Sequence, residues 1–146
     1  RRAGMENVPA IIGMGAAAEE LTVTQVDEVG RQVALTERVL GWADAAAGVA
    51  VLGAPGARLA HLVCLGLEGI EPQPVLLGLD QAGVAVHSGS SCSTEALEPS
   101  PVLEAMGVDA DRSLRVSVGW NSTDDDADRL LDALPRVLER LGALRT

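Results

Sequence analysis

Lysine is missing from this chain altogether: all 11 basic residues among its 146 are arginine. A Schiff base needs a primary amine, so no side chain here can hold a carbonyl substrate or an aldehyde cofactor in that way. Phe and Tyr are also absent and only two Trp are present, which removes the stacking platforms used to bind single-stranded nucleic acid. The arginines are scattered through a chain of formal net charge -10, so the clustered cationic face that neutralises phosphates is lacking too. Two cysteines, Cys64 and Cys92, make neither a disulfide framework nor a metal-ligand cluster. No apolar run approaches the ~18 residues of a membrane span. The opening Arg1-Arg2-Ala3-Gly4 carries no secretory pattern, so a cytoplasmic setting is expected, and the absence of an initiator Met suggests a fragment or a trimmed chain.

What is present suits one globular core: 47% of the residues are hydrophobic. Asn7-Val8-Pro9 reads as a helix start, an N-cap with Pro in the first turn. The segment from Asn7 to Leu40 is predicted to be largely helical, with Val26, Val29, Val33 and Leu40 as its buried stripe and a soft point near Leu21 to Thr24. Gly13 and Gly15 weaken it while allowing close packing. Short strand signals follow: Val49 to Leu52 before the turn Gly53-Ala54-Pro55-Gly56, then His61 to Leu67, apolar on both faces as in a strand covered on both sides. A helix from Pro74 to Gln81 ends at Gly83, a third strand runs from Val84 to His87, and a short helix from Pro101 to Met106 ends at Gly107. The fourth strand, Leu114 to Val118, turns Leu114, Val116 and Val118 one way and Ser113, Arg115 and Ser117 the other. The last helix opens on Ser122-Thr123-Asp124-Asp125-Asp126, a hydroxyl cap and three acids where the helix dipole favours negative charge. Pro135 is expected to kink or split it near Leu131. The succession of strands and helices predicts an α/β or α+β fold, a small sheet covered by helices.

Three residues are candidates for chemistry. Cys92 stands among Gly89, Ser90, Ser91, Ser93 and Thr94, none of which could pack it into an apolar core; a thiol held on small residues between a strand and a helix can move and react. The alternative is an idle surface thiol. Cys64, between Val63 and Leu65, reads as packing, since a free Cys behaves as a small hydrophobe. Arg115 shares a strand face with two serines, where its guanidinium fork suits a carboxylate, unless a nearby Asp or Glu already pairs with it. His87 is an auxiliary candidate that could lower the pKa of Cys92 or relay a proton, though such a histidine is more often merely hydrogen-bonded. No metal site is expected.

The segment Val86-His87-Ser88-Gly89-Ser90-Ser91-Cys92-Ser93, with Leu97-Glu98-Pro99-Ser100 and Val102-Leu103, resembles the active-cysteine loop of the pyridoxal-phosphate-dependent cysteine desulfurases, class V of the aminotransferase-like enzymes. Ser113-Leu114-Arg115-Val116-Ser117-Val118-Gly119 resembles that family's Ser-x-Arg-x-Ser-x-Gly strand. Ser122 to Asp128 resembles the start of its last helix, and Arg2-Ala3-Gly4-Met5-Glu6-Asn7-Val8-Pro9 its Arg-Ser-Gly-Thr-Glu-Asn-Val-Pro. The resemblance runs in order over essentially the whole chain.

It implies the C-terminal small domain of the two-domain aminotransferase-like fold, with residues 1–40 as a connecting segment, mostly one long helix, and residues 41–146 as the small domain carrying the cysteine loop. It implies that Cys92 takes sulfur from L-cysteine as a persulfide, leaving L-alanine, and passes it to an acceptor such as an iron-sulfur cluster scaffold or a tRNA thiolation protein. Arg115 would clamp the substrate carboxylate. A homodimer is implied for the full-length enzyme, and pyridoxal phosphate as cofactor, bound mainly by a large domain absent from this chain. Two positions depart from the family. Met5 stands where the family has a Thr whose hydroxyl reaches the cofactor phosphate, and it cannot donate that hydrogen bond. The family's Schiff-base lysine has no counterpart. The isolated chain is therefore expected to be inactive as a desulfurase, and the competing class is a non-catalytic sulfur carrier that uses Cys92.

Overall fold

A computed structural model of the chain describes residues 4–89 and 100–144. Its first helix, α1 (Val8–Ala45), is 38 residues long, about 57 Å at 1.5 Å per residue. Asn7 caps it, its side-chain oxygen accepting from the Ala10 N–H at 3.2 Å, and Pro9 fits the first turn because the N–H it lacks would have no helical partner there. The helix is not interrupted at Leu21 to Thr24, where a soft point is expected. Thr22 and Thr24 donate their hydroxyls back to the Glu19 and Glu20 carbonyls at 2.7 and 3.1 Å, which accommodates them within a continuous helix. The helix also runs past Leu40 and Gly41 to Ala45. One glycine costs a helix about 1 kcal/mol, and the turn beyond it buries Ala43 and half-buries Trp42 against the core.

The expected stripe on α1 needs correction. Val26 is 82% exposed and Val29 and Val33 are exposed as well, while the residues that pack are Leu35, Thr36, Val39, Leu40 and Ala43. Everything from residue 8 to residue 27 faces outward, and a Cβ added at Gly13 or Gly15 would meet nothing described, so those glycines do not serve a close contact here. Among the described residues, only the C-terminal part of the helix is fastened down. Arg31 binds Glu28 and the carbonyls of Gly119 and Ser122; Thr36 donates to the Ala60 carbonyl at 3.0 Å; Arg38 pairs with Asp124 and Asp128.

Four strands, β1 (Val49–Leu52), β2 (Leu62–Leu67), β3 (His87–Ser88) and β4 (Ser113–Ser117), form one antiparallel sheet in the order β1-β2-β4-β3. Between them lie α2 (Pro72–Gln81), α3 (Pro101–Ala105) and a 3-10 turn (Ala110–Arg112), and α4 (Asp124–Ala143) closes the chain. The core is a single layer. Val63, Leu65 and Leu67 of β2 and Leu114 and Val116 of β4 pack under Val39 and Ala43 of α1, Val75 and Leu79 of α2, and Leu130, Ala133 and Leu134 of α4. Burying one such Leu or Val contributes about 1.5–3 kcal/mol. At Gly78 the two helices approach so closely that a Cβ would lie 2.8 Å from Val137 Cγ1, which is why α2 needs glycine there.

Two strand expectations change. β2 is not covered on both sides: Val63, Leu65 and Leu67 are buried, while Leu62, Cys64 and Gly66 on the other face are only half-buried. β3 is two residues rather than four. Gly83, at φ 75°, ends α2 by donating to Asp80, and Val84 donates to Leu79, both at 2.9 Å, so the start of the expected strand completes the helix cap. α2 itself begins at Pro72, two residues ahead of expectation, and α3 stops at Ala105, with Gly107 at φ 71° just beyond it.

α4 starts as its sequence predicts. The Thr123 hydroxyl accepts from the Asp126 N–H, and the Asp126 carboxylate accepts from the Thr123 N–H, a reciprocal capping box. Of the kink or split expected near Leu131 from Pro135, the split does not occur, and one helix continues to Ala143. Proline inside a helix costs about 3 kcal/mol, which burial of Leu134 before it and packing of Val137, Leu138 and Leu141 after it can offset. None of the described helices is long and apolar enough to cross a membrane.

Candidate functional site

Strand register gathers the candidate residues. Leu52 stands opposite Cys64, Cys64 opposite Arg115, and Arg115 opposite His87, so these four form one row across all four strands. Directly opposed residues of antiparallel strands share a face. This is the face turned away from the helical core, because its two central members alternate with buried neighbours: Val63 and Leu65 flank Cys64, and Leu114 and Val116 flank Arg115. The alternation expected for β4 is therefore observed, although Ser113, on the same side as Arg115, is fully buried.

The cover over Ser113 comes from the segment after the cysteine loop. The Ser113 hydroxyl donates to the Ala110 carbonyl at 2.8 Å, and Gly89 donates its N–H to the Ser113 carbonyl at 3.2 Å. A Cβ at Gly89 would lie 2.1 Å from Ser113 Oγ and 2.7 Å from Leu103 Cδ1, so glycine is required by space. Nothing in the sequence marks this three-way contact except the glycine itself.

Arg115 is half-buried and, among the described residues, has neither a hydrogen bond nor an ion pair. Arg31, Arg38, Arg112 and Arg136 all hold carboxylates. The alternative reading of Arg115, pairing with a nearby acid, thus finds no partner in the described structure. A guanidinium left in this condition presents a planar fork of donors that fits a carboxylate bidentately.

His87 is exposed, and its Nδ1 lies 3.1 Å from the Ser88 carbonyl oxygen. A carbonyl can only accept, so Nδ1 carries the proton, and in the neutral ring Nε2 offers a lone pair. Cys64 departs from its sequence reading. It is not part of the core but half-exposed beside Arg115, where burial pushes its thiol up while the Arg115 charge and the Leu65 backbone N–H pull more weakly the other way. The overlooked signal was the two-residue period in β2, which puts Cys64 on the side opposite Val63 and Leu65.

Cys92 lies outside the described residues. Met5 is described and is 98% exposed ahead of α1. Among the described residues no cluster of His, Cys, Asp or Glu could hold a metal ion. Covalent attachment of pyridoxal phosphate does not fit the donor set, because it requires a lysine amine and the 146 residues contain none.

The profile of the family described as aminotransferase class-V matches residues 1–130. A protein of Archaeoglobus fulgidus named cysteine desulfurase IscS 1 is 39% identical over 98% of this chain, and a cysteine desulfurase of Gluconacetobacter diazotrophicus is 41% identical over 97%. The match takes in 38% and 36% of those two proteins, so the chain spans little more than a third of the length of these relatives. Among solved structures, a NifS-like protein from Rickettsia africae superposes with a TM-score of 0.82 at 26% identity, over 94% of this chain and 36% of that one. With the fold, the order of its elements and the sequence match in agreement, the chain belongs to the aminotransferase class-V family.

Proposed function

We propose that this chain is the C-terminal part of a cysteine desulfurase, residues 1–40 being the connecting segment and residues 41–146 the small domain. The observation that carries the reading is Arg115, half-buried on the sheet's outer face and without an acid partner among the described residues, in a chain whose relatives are named cysteine desulfurases. In this reading Arg115 holds the carboxylate of L-cysteine and Cys92 receives its sulfur. The overall change balances: the substrate's C–S bond is replaced by a C–H bond, a sulfur–sulfur bond forms on Cys92, and L-cysteine plus the Cys92 thiol gives L-alanine plus a persulfide. Fixing the carboxylate orients the sulfur toward its acceptor and makes the transfer effectively unimolecular. The persulfide then passes to an acceptor such as an iron-sulfur scaffold or a tRNA thiolation protein. A cytoplasmic homodimer that uses pyridoxal phosphate on a lysine outside these 146 residues belongs to the same reading.

The missing lysine favours a second reading for the 146 residues alone, a sulfur carrier that accepts persulfide sulfur on Cys92 without making alanine. Incubating the chain with L-cysteine and pyridoxal phosphate, and separately with a persulfide donor, separates the two. The desulfurase reading expects no alanine from the chain alone, and alanine with persulfide on Cys92 when the chain is joined to a lysine-bearing class-V large domain. Persulfide from the donor, with no alanine even in the joined protein, supports the carrier. No sulfur on Cys92 under any condition overturns both.

A further inference from the structure

On the helical side of the sheet, away from the row that holds Arg115, the paired residues Val49 and Leu67 turn their side chains toward the core. The last turns of α1 and α4 meet this end of β1 and β2 and leave an open cleft of about 430 Å³, within the size range of small-molecule sites. Trp42, Val49, Leu67 and Leu138 give it apolar walls, and among the described residues the only charged groups lining it are Glu68 and Glu139. Glu139 has neither a hydrogen bond nor an ion pair among the described residues. Two helices also end here, since the cap residue Ala46 of α1 and Gly142 of α4 both line the cleft. The final carbonyls of a helix lack helical partners and form its negative pole. The last turn of α1 holds no basic residue, and Arg140 in the last turn of α4 does not line the cleft.

We propose that this cleft binds a small organic cation, an ammonium group carried on an apolar body, with the ammonium set toward Glu68 and Glu139 and the body against Trp42 and Leu138. The charges around the cleft are all of one sign, so they favour a cation and repel a carboxylate. The apolar walls favour a cation with an apolar body over a bare, strongly hydrated one, and the indole ring is the best aromatic partner for a positive charge. Two carboxylates fall short of a metal site, and no cluster of metal ligands is found among the described residues. A neutral molecule of the same shape keeps the wall contacts and loses the attraction to the acids.

NMR-detected titration of the 146-residue chain with benzylammonium and with benzyl alcohol, its neutral counterpart, tests this. The chain has two tryptophans, and Trp120, 83% exposed between β4 and α4, does not line the cleft. The two indole N–H signals therefore distinguish seating in the cleft from non-specific contact. Benzylammonium is expected to shift the Trp42 indole and the amide of Gly48, which lines the same cleft, in a saturable way while leaving the Trp120 indole in place. It should bind tighter than benzyl alcohol by about tenfold or more, the worth of one hydrogen bond to a charged group. Glu139→Gln lowers that preference, and Glu68→Gln combined with Glu139→Gln removes it while leaving benzyl alcohol binding unchanged. Both acids are exposed, so their replacement leaves the core intact. No saturable shift at Trp42, equal shifts at both tryptophans, equal affinities for the two probes, or a preference that survives the double replacement overturns the proposal.

Discussion

On one face of the sheet Val63, Leu65, Leu114 and Val116 lie beneath three helices; on the other, one residue along the same strands, Cys64 and Arg115 stand in a row with Leu52 and His87. Among the described residues this second face is closed at Ser113 and Gly89, where Leu103 and Ala110 sit over it. The two faces share backbone hydrogen bonds and differ only in what the side chains meet. The covered face holds the fold. The other face keeps donors and acceptors free, which a fully packed surface cannot do, because buried polar groups are stable only when paired.

The largest effect that tests this comparison is Leu114→Ala. Truncating a fully buried leucine should lower the unfolding free energy by about 2–5 kcal/mol in a denaturant titration, whereas Arg115→Leu, the adjacent residue on the other face, should change it by no more than about 0.5 kcal/mol. Equal losses would show that both faces carry the fold. Next in size is Gly89→Ala, which forces a methyl group onto Ser113 Oγ and should cost about 1–3 kcal/mol. Adding Ser113→Gly should recover part of that loss, and failure to do so would detach Gly89 from the closed end of the outer face.

Acid should weaken the covered side first. Hydrogen bonds hold the carboxyls of Glu28 (from Arg31) and Asp126 (from the Thr123 backbone and hydroxyl) below their ordinary range, and both residues anchor helices that pack on the core. A lowered folded-state pKa means that the stabilisation is present above the unfolded value and is lost as the pH falls through the folded one. Stability should therefore decline as the pH drops below about 4.5, where ordinary carboxyls begin to protonate, and Asp126→Asn should flatten that decline in denaturant midpoints measured against pH. The smallest effect concerns Cys64. Burial raises its pKa and Arg115 opposes the rise, so in a Cys92→Ser chain it should alkylate more slowly than a free thiol near neutral pH, and more slowly still after Arg115→Leu.

Much of the fold was legible because its signals are local. Asn7 with Pro9, Thr123 with Asp126, and Gly83 each satisfy or redirect backbone groups within a few residues, and each lies at the helix end where it was expected. The errors fell where distant packing outweighed a local preference. Gly41 and Pro135 failed to stop their helices because Ala43 and Leu134 are buried against other elements. Val26, Val29, Val33 and Leu40 suggested a buried stripe along α1, yet of these only Leu40 is buried, and the buried positions cluster between Leu35 and Ala43, where the helix meets the sheet.

By itself, the sequence determined the family, through motifs that run in order along the chain, and the exclusion of a Schiff base, because no lysine is present. It also determined that Arg115 points away from Leu114 and Val116, since a strand alternates by two wherever it lies. Only the tertiary structure decided that Arg115 has Cys64 on one side and His87 on the other, because strand order β1-β2-β4-β3 and register are set by which side chains fill the core together, over separations no local pattern records. For the same reason, the absence of an acid partner for Arg115 among the described residues is a property of the folded sheet and not of its neighbours in the chain.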